Sequence, residues 1–170
     1  MKNYYLSLLF LFVNLYSFGQ DKAVIKQQAN IVAQATIKND YATIIKYSHP
    51  SLIKMMGGRD KMLNVIKDAM EGMSSKGISI DSVWIGTPQK LFIAGKELHC
   101  LVPQQLSMKV PDGKLVSNSF LLAISIDKGA NWTFLSLSNG INNKTITQLL
   151  PNFNQQLKIP EDSKPIFFED

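Results

Sequence analysis

His99 is the strongest single candidate for proton chemistry in this chain, because an imidazole with an ordinary pKa of about 6.5 can take and return a proton near neutrality. Its neighbours suggest a different role. Leu98, Cys100 and Val102 alternate with it, so a strand there turns those three side chains to one face and His99 to the other. With the three in the core, His99 faces solvent or the outer wall of a cavity and has a structural or exposed role. Cys100 then points away from the base beside it and reads as a small buried hydrophobe, not a nucleophile. His49 precedes Pro50 and suits a helix exit. The two histidines stand far apart with no carboxylate at ligand spacing, so the sequence offers no metal site.

Asp81 is the acid that a proton-abstracting site would use. It falls where the alternation of Ile78, Ile80, Val83 and Ile85 slips, which is the place of a bulge or turn residue. Tyr41 and Tyr47 can reach a cavity from a helix, and each also suits a core position with one satisfied hydroxyl. Met62, Met70 and Trp84 join the two tyrosines as an expected apolar lining for a small ligand, since methionine adapts to irregular shapes. At helical spacing such methionines also serve as ordinary core. No spacing calls for a cofactor.

Elements that would position these residues divide the chain in two. From Asp21 to Lys38, Val24, Ile25, Ala29, Ile31, Val32 and Ala35 mark one face of a helix. Asp40 can cap a second helix with Tyr41, Ile44 and Ile45 inward. Ser51 to Met56 is ambiguous. A third helix runs from about Arg59 to Ser75, with Met62, Ile66, Ala69, Met70 and Met73 inward, and stops before Gly77. The period then changes to two. Short turns at Gly86-Thr87-Pro88, Ala94-Gly95-Lys96, Pro111-Asp112-Gly113 and Asp127 to Asn131 predict a mostly antiparallel meander. Pro103 predicts an edge position or a bulge. Lys144 to Leu150 suits a short helix. Residues 151–170 read as an extended tail, anchored by Phe153 and Leu157 and fraying towards Asp170.

The N-terminal block has its own character. Lys2, the apolar run Leu6 to Val13 and the small residues Ser17 and Gly19 form the pattern of a secretory signal cleaved after Gly19. The apolar run is shorter than a membrane span needs, so no stable span is expected after cleavage. The expected organisation is a signal peptide over 1–19, one domain over 20–150 and the tail over 151–170, exported to the periplasm or secreted. About 150 residues bury a core without staples, and with one cysteine no internal disulfide can form. The net charge is +5 with dispersed lysines, which does not make a nucleic-acid patch. Asn131-Trp132-Thr133 and Asn143-Lys144-Thr145 match the glycosylation sequon, a short pattern read here as accidental.

Helices followed by a long antiparallel meander resemble the nuclear transport factor 2-like (ketosteroid isomerase-like) superfamily. Asn39 to Pro50 looks like that family's second helix and its exit, Met56 to Lys61 like the glycine turn into its third helix, and Ile78 to Ser138 like its curved sheet. Glu97 to Gln104 and Leu150 to Asn154 resemble secreted bacterial members of unknown function. The resemblance implies an α+β fold with three N-terminal helices packed on a curved, mostly antiparallel, cone-like sheet around a cavity. It implies no single chemistry. Isomerase members use an aspartate base with tyrosine and acid donors, and that set has no match here. The expected function is therefore non-catalytic binding of a small apolar ligand or an envelope partner. The alternative is a small-molecule isomerase, hydratase or lyase, which needs Asp81, His99, Tyr41 and Tyr47 to converge on one cavity. Some members pair through their sheets, so the resemblance admits a homodimer. Separately, Ser125 to Thr133 resembles the aspartate box of sialidase-like propellers, expected here as a stable turn without glycosidase meaning.

Overall fold

A computed structural model of the chain describes residues 18–137, 143–161 and 163–169. The expected leader lies outside the described residues except at Phe18 and Gly19, which open the first helix. Among the described residues the fold is α+β, with five helices and one six-stranded antiparallel sheet. No described helix is long and apolar enough to cross a membrane.

Helix α1 spans Phe18–Ile37 and buries Ile25, Ala29 and Ala33, a spacing of four that keeps one stripe on the sheet. Ile31, expected inward, is exposed, because it lies off that stripe. Asn39 takes a positive φ of 56° and turns the chain. Asp40 then caps α2 (Tyr41–Tyr47), its Oδ1 accepting the Thr43 N–H at 3.1 Å as the sequence predicts. The ambiguous stretch after it is a helix of its own, α3 (Pro50–Met55), with proline at its first position. His49 therefore begins a helix, and among the described residues four helices precede the sheet where three were expected. Helix α4 runs Arg59–Ser74, and Gly77 lies beyond it at φ 72°. Met62 is buried on α4, whereas Ala69 is exposed.

Two long strands form the spine of the sheet, β3 (Glu97–Val110) and β4 (Gly113–Ser125), paired along their length from Leu98↔Ser125 to Val110↔Gly113. Four short strands flank the spine. Strands β1 (Ser79–Ile85) and β2 (Leu91–Ala94) share the free edge of β3, and β5 (Thr133–Ser136) and β6 (Ile166–Glu169) share that of β4. Pro103 thus sits on a central strand, not at an edge. In a strand the N and C=O of one residue point to the same side, and the Pro103 carbonyl accepts from Gly86 N at 2.8 Å, in the gap between β1 and β2. The missing N–H falls in that gap, where no ladder needs it.

Each face of the sheet carries a buried core. On one, Cys100, Val102, Leu121, Ala123 and Phe134 pack with α1. On the other, Leu101, Leu122, Ile124 and Leu135 pack with α5 (Asn143–Leu149) and with Leu150, Phe153 and Leu157 beyond it. The tail anchors where expected, and Ile166–Glu169, within the part expected to fray, form β6 and pair with β4 from Gly113↔Glu169 to Val116↔Ile166. Gly113, at φ 149°, lies so close to the Phe168 carbonyl that a side chain there would collide with it.

Candidate functional site

A cavity of about 640 Å³ lies between the helices and the sheet. Val32, Ala33 and Thr36 of α1, Ile44 and Tyr47 of α2, and Met62 and Met73 of α4 form its walls. Its floor comes from alternate positions of three strands: Ile80, Val83 and Ile85 on β1, Gln104, Leu106 and Met108 on β3, and Leu115, Ser117, Ser119 and Leu121 on β4. The register explains this set, because Met108 faces Leu115, Leu106 faces Ser117 and Gln104 faces Ser119, and paired residues share a face.

Most of the lining is apolar, and its polar members are neutral. Two hydroxyls are occupied by backbone: Thr36 Oγ1 donates to Val32 O and Ser48 Oγ to Ile44 O, each at 2.9 Å. On the floor, Gln104 Nε2 donates to Ser119 Oγ at 2.9 Å. The described lining residues include no carboxylate, imidazole, thiol or amine.

Of the expected ligand-binding residues, Tyr47 and Met62 line this cavity, with the Tyr47 ring 6.5 Å from that of Phe134. Tyr41 and Met70 line an adjoining groove of about 290 Å³, which shares Met73 and Ile80 with the cavity. Trp84 does not join them. It has the opposite strand parity to Val83 and Ile85, and it is 60% exposed.

Asp81 is the bulge residue that its position predicted, at the register shift between Ile80 and Ser82. Its carboxylate lies 3.3 Å from Lys114 Nζ and 3.6 Å from Lys109 Nζ. The hydrogen bond from Lys114, with the charge of both lysines, holds its pKa below the ordinary carboxylate value. It is not among the residues lining the cavity.

His99 corrects the expectation of an outward residue. It does lie opposite Cys100, but that face is covered too, and His99 is fully buried. Its ring stacks on Phe153 at 5.8 Å, and its Nε2 lies 3.0 Å from Glu97 Oε2. Glu97, two residues along the same strand face, was a legible partner that the sequence reading passed over. The other ring nitrogen, Nδ1, is buried without a hydrogen bond among the described residues.

His49 is close enough to this pair to feel its charges, although the two histidines are far apart in sequence. Burial pushes the His49 imidazole below its ordinary value, the Glu97 charge opposes this, and His99 adds to the fall. His49 Nδ1 accepts the Ser51 N–H at 3.3 Å as the cap of α3, and the His49 backbone N–H donates to Phe134 O at 3.3 Å. Among the described residues no group of three His, Cys, Asp or Glu is placed to hold a metal. Cys100 is fully buried, and burial raises its thiol pKa to about 11, so thiolate chemistry is suppressed.

The Ser125–Thr133 turn holds its shape through its own hydrogen bonds. Asp127 Oδ1 accepts Asn131 N at 2.9 Å and Ser125 Oγ at 2.8 Å, and Oδ2 accepts Asn131 Nδ2 at 2.7 Å. Burial acts to raise the Asp127 pKa, but these hydrogen bonds outweigh it and hold the carboxyl low. Trp132 packs beneath, its Nε1 donating to Gly129 O at 3.0 Å. Trp132 N also donates to Gln28 Oε1 at 2.9 Å, which ties the turn to α1.

The polar floor of Gln104, Ser117 and Ser119 was not singled out from sequence. Its signal was present in the shared parity of Gln104, Leu106 and Met108 facing that of Leu115, Ser117, Ser119 and Leu121. Compared with protein-family models, with curated proteins and with solved structures, the chain finds no match.

Proposed function

We propose that this chain is an exported, non-catalytic binding protein that holds a small apolar ligand in the cavity between α1, α2, α4 and the sheet. One observation carries this reading: a cavity of about 640 Å³ whose described lining is mostly apolar, with a few neutral hydrogen-bonding groups. That size and composition suit a small-molecule pocket. Four helices ahead of an antiparallel sheet, with a hollow between them, support a cone-like member of the nuclear transport factor 2-like superfamily. The signal pattern over residues 1–19 supports export.

The isomerase alternative needs a base and its supporting donors within reach of one reacting atom. Asp81 is bound to two lysines, His99 lies under Phe153 on the other face, Tyr41 lines the adjoining groove, and Tyr47 lines the cavity. These placements favour binding over catalysis.

Mass spectrometry on protein recovered from the exported fraction tests both halves of the proposal. The expected species begins at Gln20 or Asp21 and carries a lipophilic molecule that organic extraction releases. A chain that keeps Met1 contradicts cleavage after Gly19, and a protein that never reaches that fraction contradicts export. A folded protein that arrives empty and takes up no Nile red contradicts binding.

A further inference from the structure

We infer that the cavity selects an uncharged ligand with one hydrogen-bonding group on an apolar body, such as an alcohol, ketone, ester or amide, and that it rejects the matching carboxylate. This inference rests on the ligand-binding reading above and names the chemistry of its ligand.

The polar groups in the floor are local, not dispersed. Gln104 pairs with Ser119 and Leu106 with Ser117 across β3 and β4, so two hydroxyls and one amide share a small area of one sheet face. Apolar side chains bound that area along both strands. Met108 and Leu115 lie at one end, and Leu121 and Ile85 lie towards the other. The Gln104 amide donates to Ser119 Oγ at 2.9 Å, which leaves the Ser119 hydroxyl proton and the Gln104 carbonyl oxygen as a donor and an acceptor for a ligand. By contrast, the Thr36 and Ser48 hydroxyls are already committed to Val32 O and Ile44 O.

A wholly apolar ligand would strip water from the floor and leave these groups unpaired, which costs binding free energy. A ligand hydroxyl or carbonyl replaces that water. A carboxylate also finds a donor, but it finds no cation, because no described lining residue is basic. An ion buried without a countercharge is strongly disfavoured. Lys109 and Lys114, the lysines that flank the floor strands' hairpin, are engaged with Asp81 and do not line the cavity.

Displacement of Nile red from the mature protein at about pH 8, where a carboxylate is ionised, tests the inference. The competitors are dodecanol, dodecanoate below its micelle concentration, and dodecane. Dodecanol is expected to displace the dye at a concentration at least about tenfold below that of dodecanoate, a difference of about 1.4 kcal/mol. In Gln104→Leu/Ser119→Ala the advantage of dodecanol over dodecane is expected to disappear. Ser117→Ala serves the same purpose if circular dichroism shows the double variant unfolded, and it is expected to lose part of that advantage. Equal displacement by dodecanoate overturns the inference while binding stands. An unchanged alcohol preference in the folded variants overturns the assignment to this floor. Failure of the folded wild type to take up Nile red overturns the binding reading instead.

Discussion

His49 shows how one side chain can serve structure through its protonation state. Its Nδ1 caps α3 by accepting the Ser51 N–H, which requires that nitrogen to be unprotonated. Burial, the leading cause, lowers its folded-state pKa below the value of an exposed imidazole. The unfolded chain therefore binds this proton first as pH falls. Its contribution to stability is complete above the unfolded pKa of about 6.5 and declines as pH drops through the lower folded value. His49→Asn keeps a cap and removes the titration. The urea midpoint of the wild type is expected to fall more steeply between about pH 7 and pH 5 than that of the variant. Parallel pH profiles would show that His49 does not carry this dependence. At the same scale, Cys100 and Asp81 are removed from chemistry by different means, full burial for the thiol and pairing with two lysines for the half-buried carboxylate.

Among the elements, the turn between β4 and β5 joins sheet to helix. Gly129 adopts a φ of 94°, and a Cβ built on it would lie 2.7 Å from Asp21 Oδ1 of α1. The same turn holds α1 through the bond from Trp132 N to Gln28 Oε1. Gly129→Ala therefore meets both an unfavourable dihedral and a close neighbour, and is expected to cost more than about 1 kcal/mol. Denaturant unfolding reads that loss directly. An unchanged midpoint would mean that Asp21 moves aside freely and that the turn tolerates the dihedral. The turn itself was legible, because Asp127, Gly129 and Trp132 hold it through contacts a few residues apart. Its grip on α1 was not, since nothing near Trp132 in sequence points to Gln28.

At the scale of the molecule, the sheet separates two cores with different duties. The helix-side core borders the cavity, and the core on the opposite face, built with α5 and the segment after it, is filled by Leu122, Ile124, Ile146, Leu150 and Phe153. Removing a side chain from the filled side should destabilise the fold without changing the ligand site. Phe153→Ala takes away the ring stacked on His99 and is expected to cost about 3–5 kcal/mol. Nile red affinity of the protein that remains folded should not change. A weakened affinity would show that the two faces are coupled through the sheet.

Sequence alone determined whatever depends on short separations. The change of period after Gly77, the Asp40 cap, the bulge at Asp81 and the division of β3 into two alternating sets follow from dihedral preference and side-chain direction, which neighbouring residues fix. Tertiary structure decided what covers each set. Alternation put His99 opposite Cys100, but only the return of α5, Phe153 and Leu157 across the sheet made that side a second core. It also placed Pro103 in the centre, carried β6 onto β4 and brought Gln104 beside Ser119. Each of these depends on packing between segments distant in the chain, and the pattern of one segment holds no record of its partner.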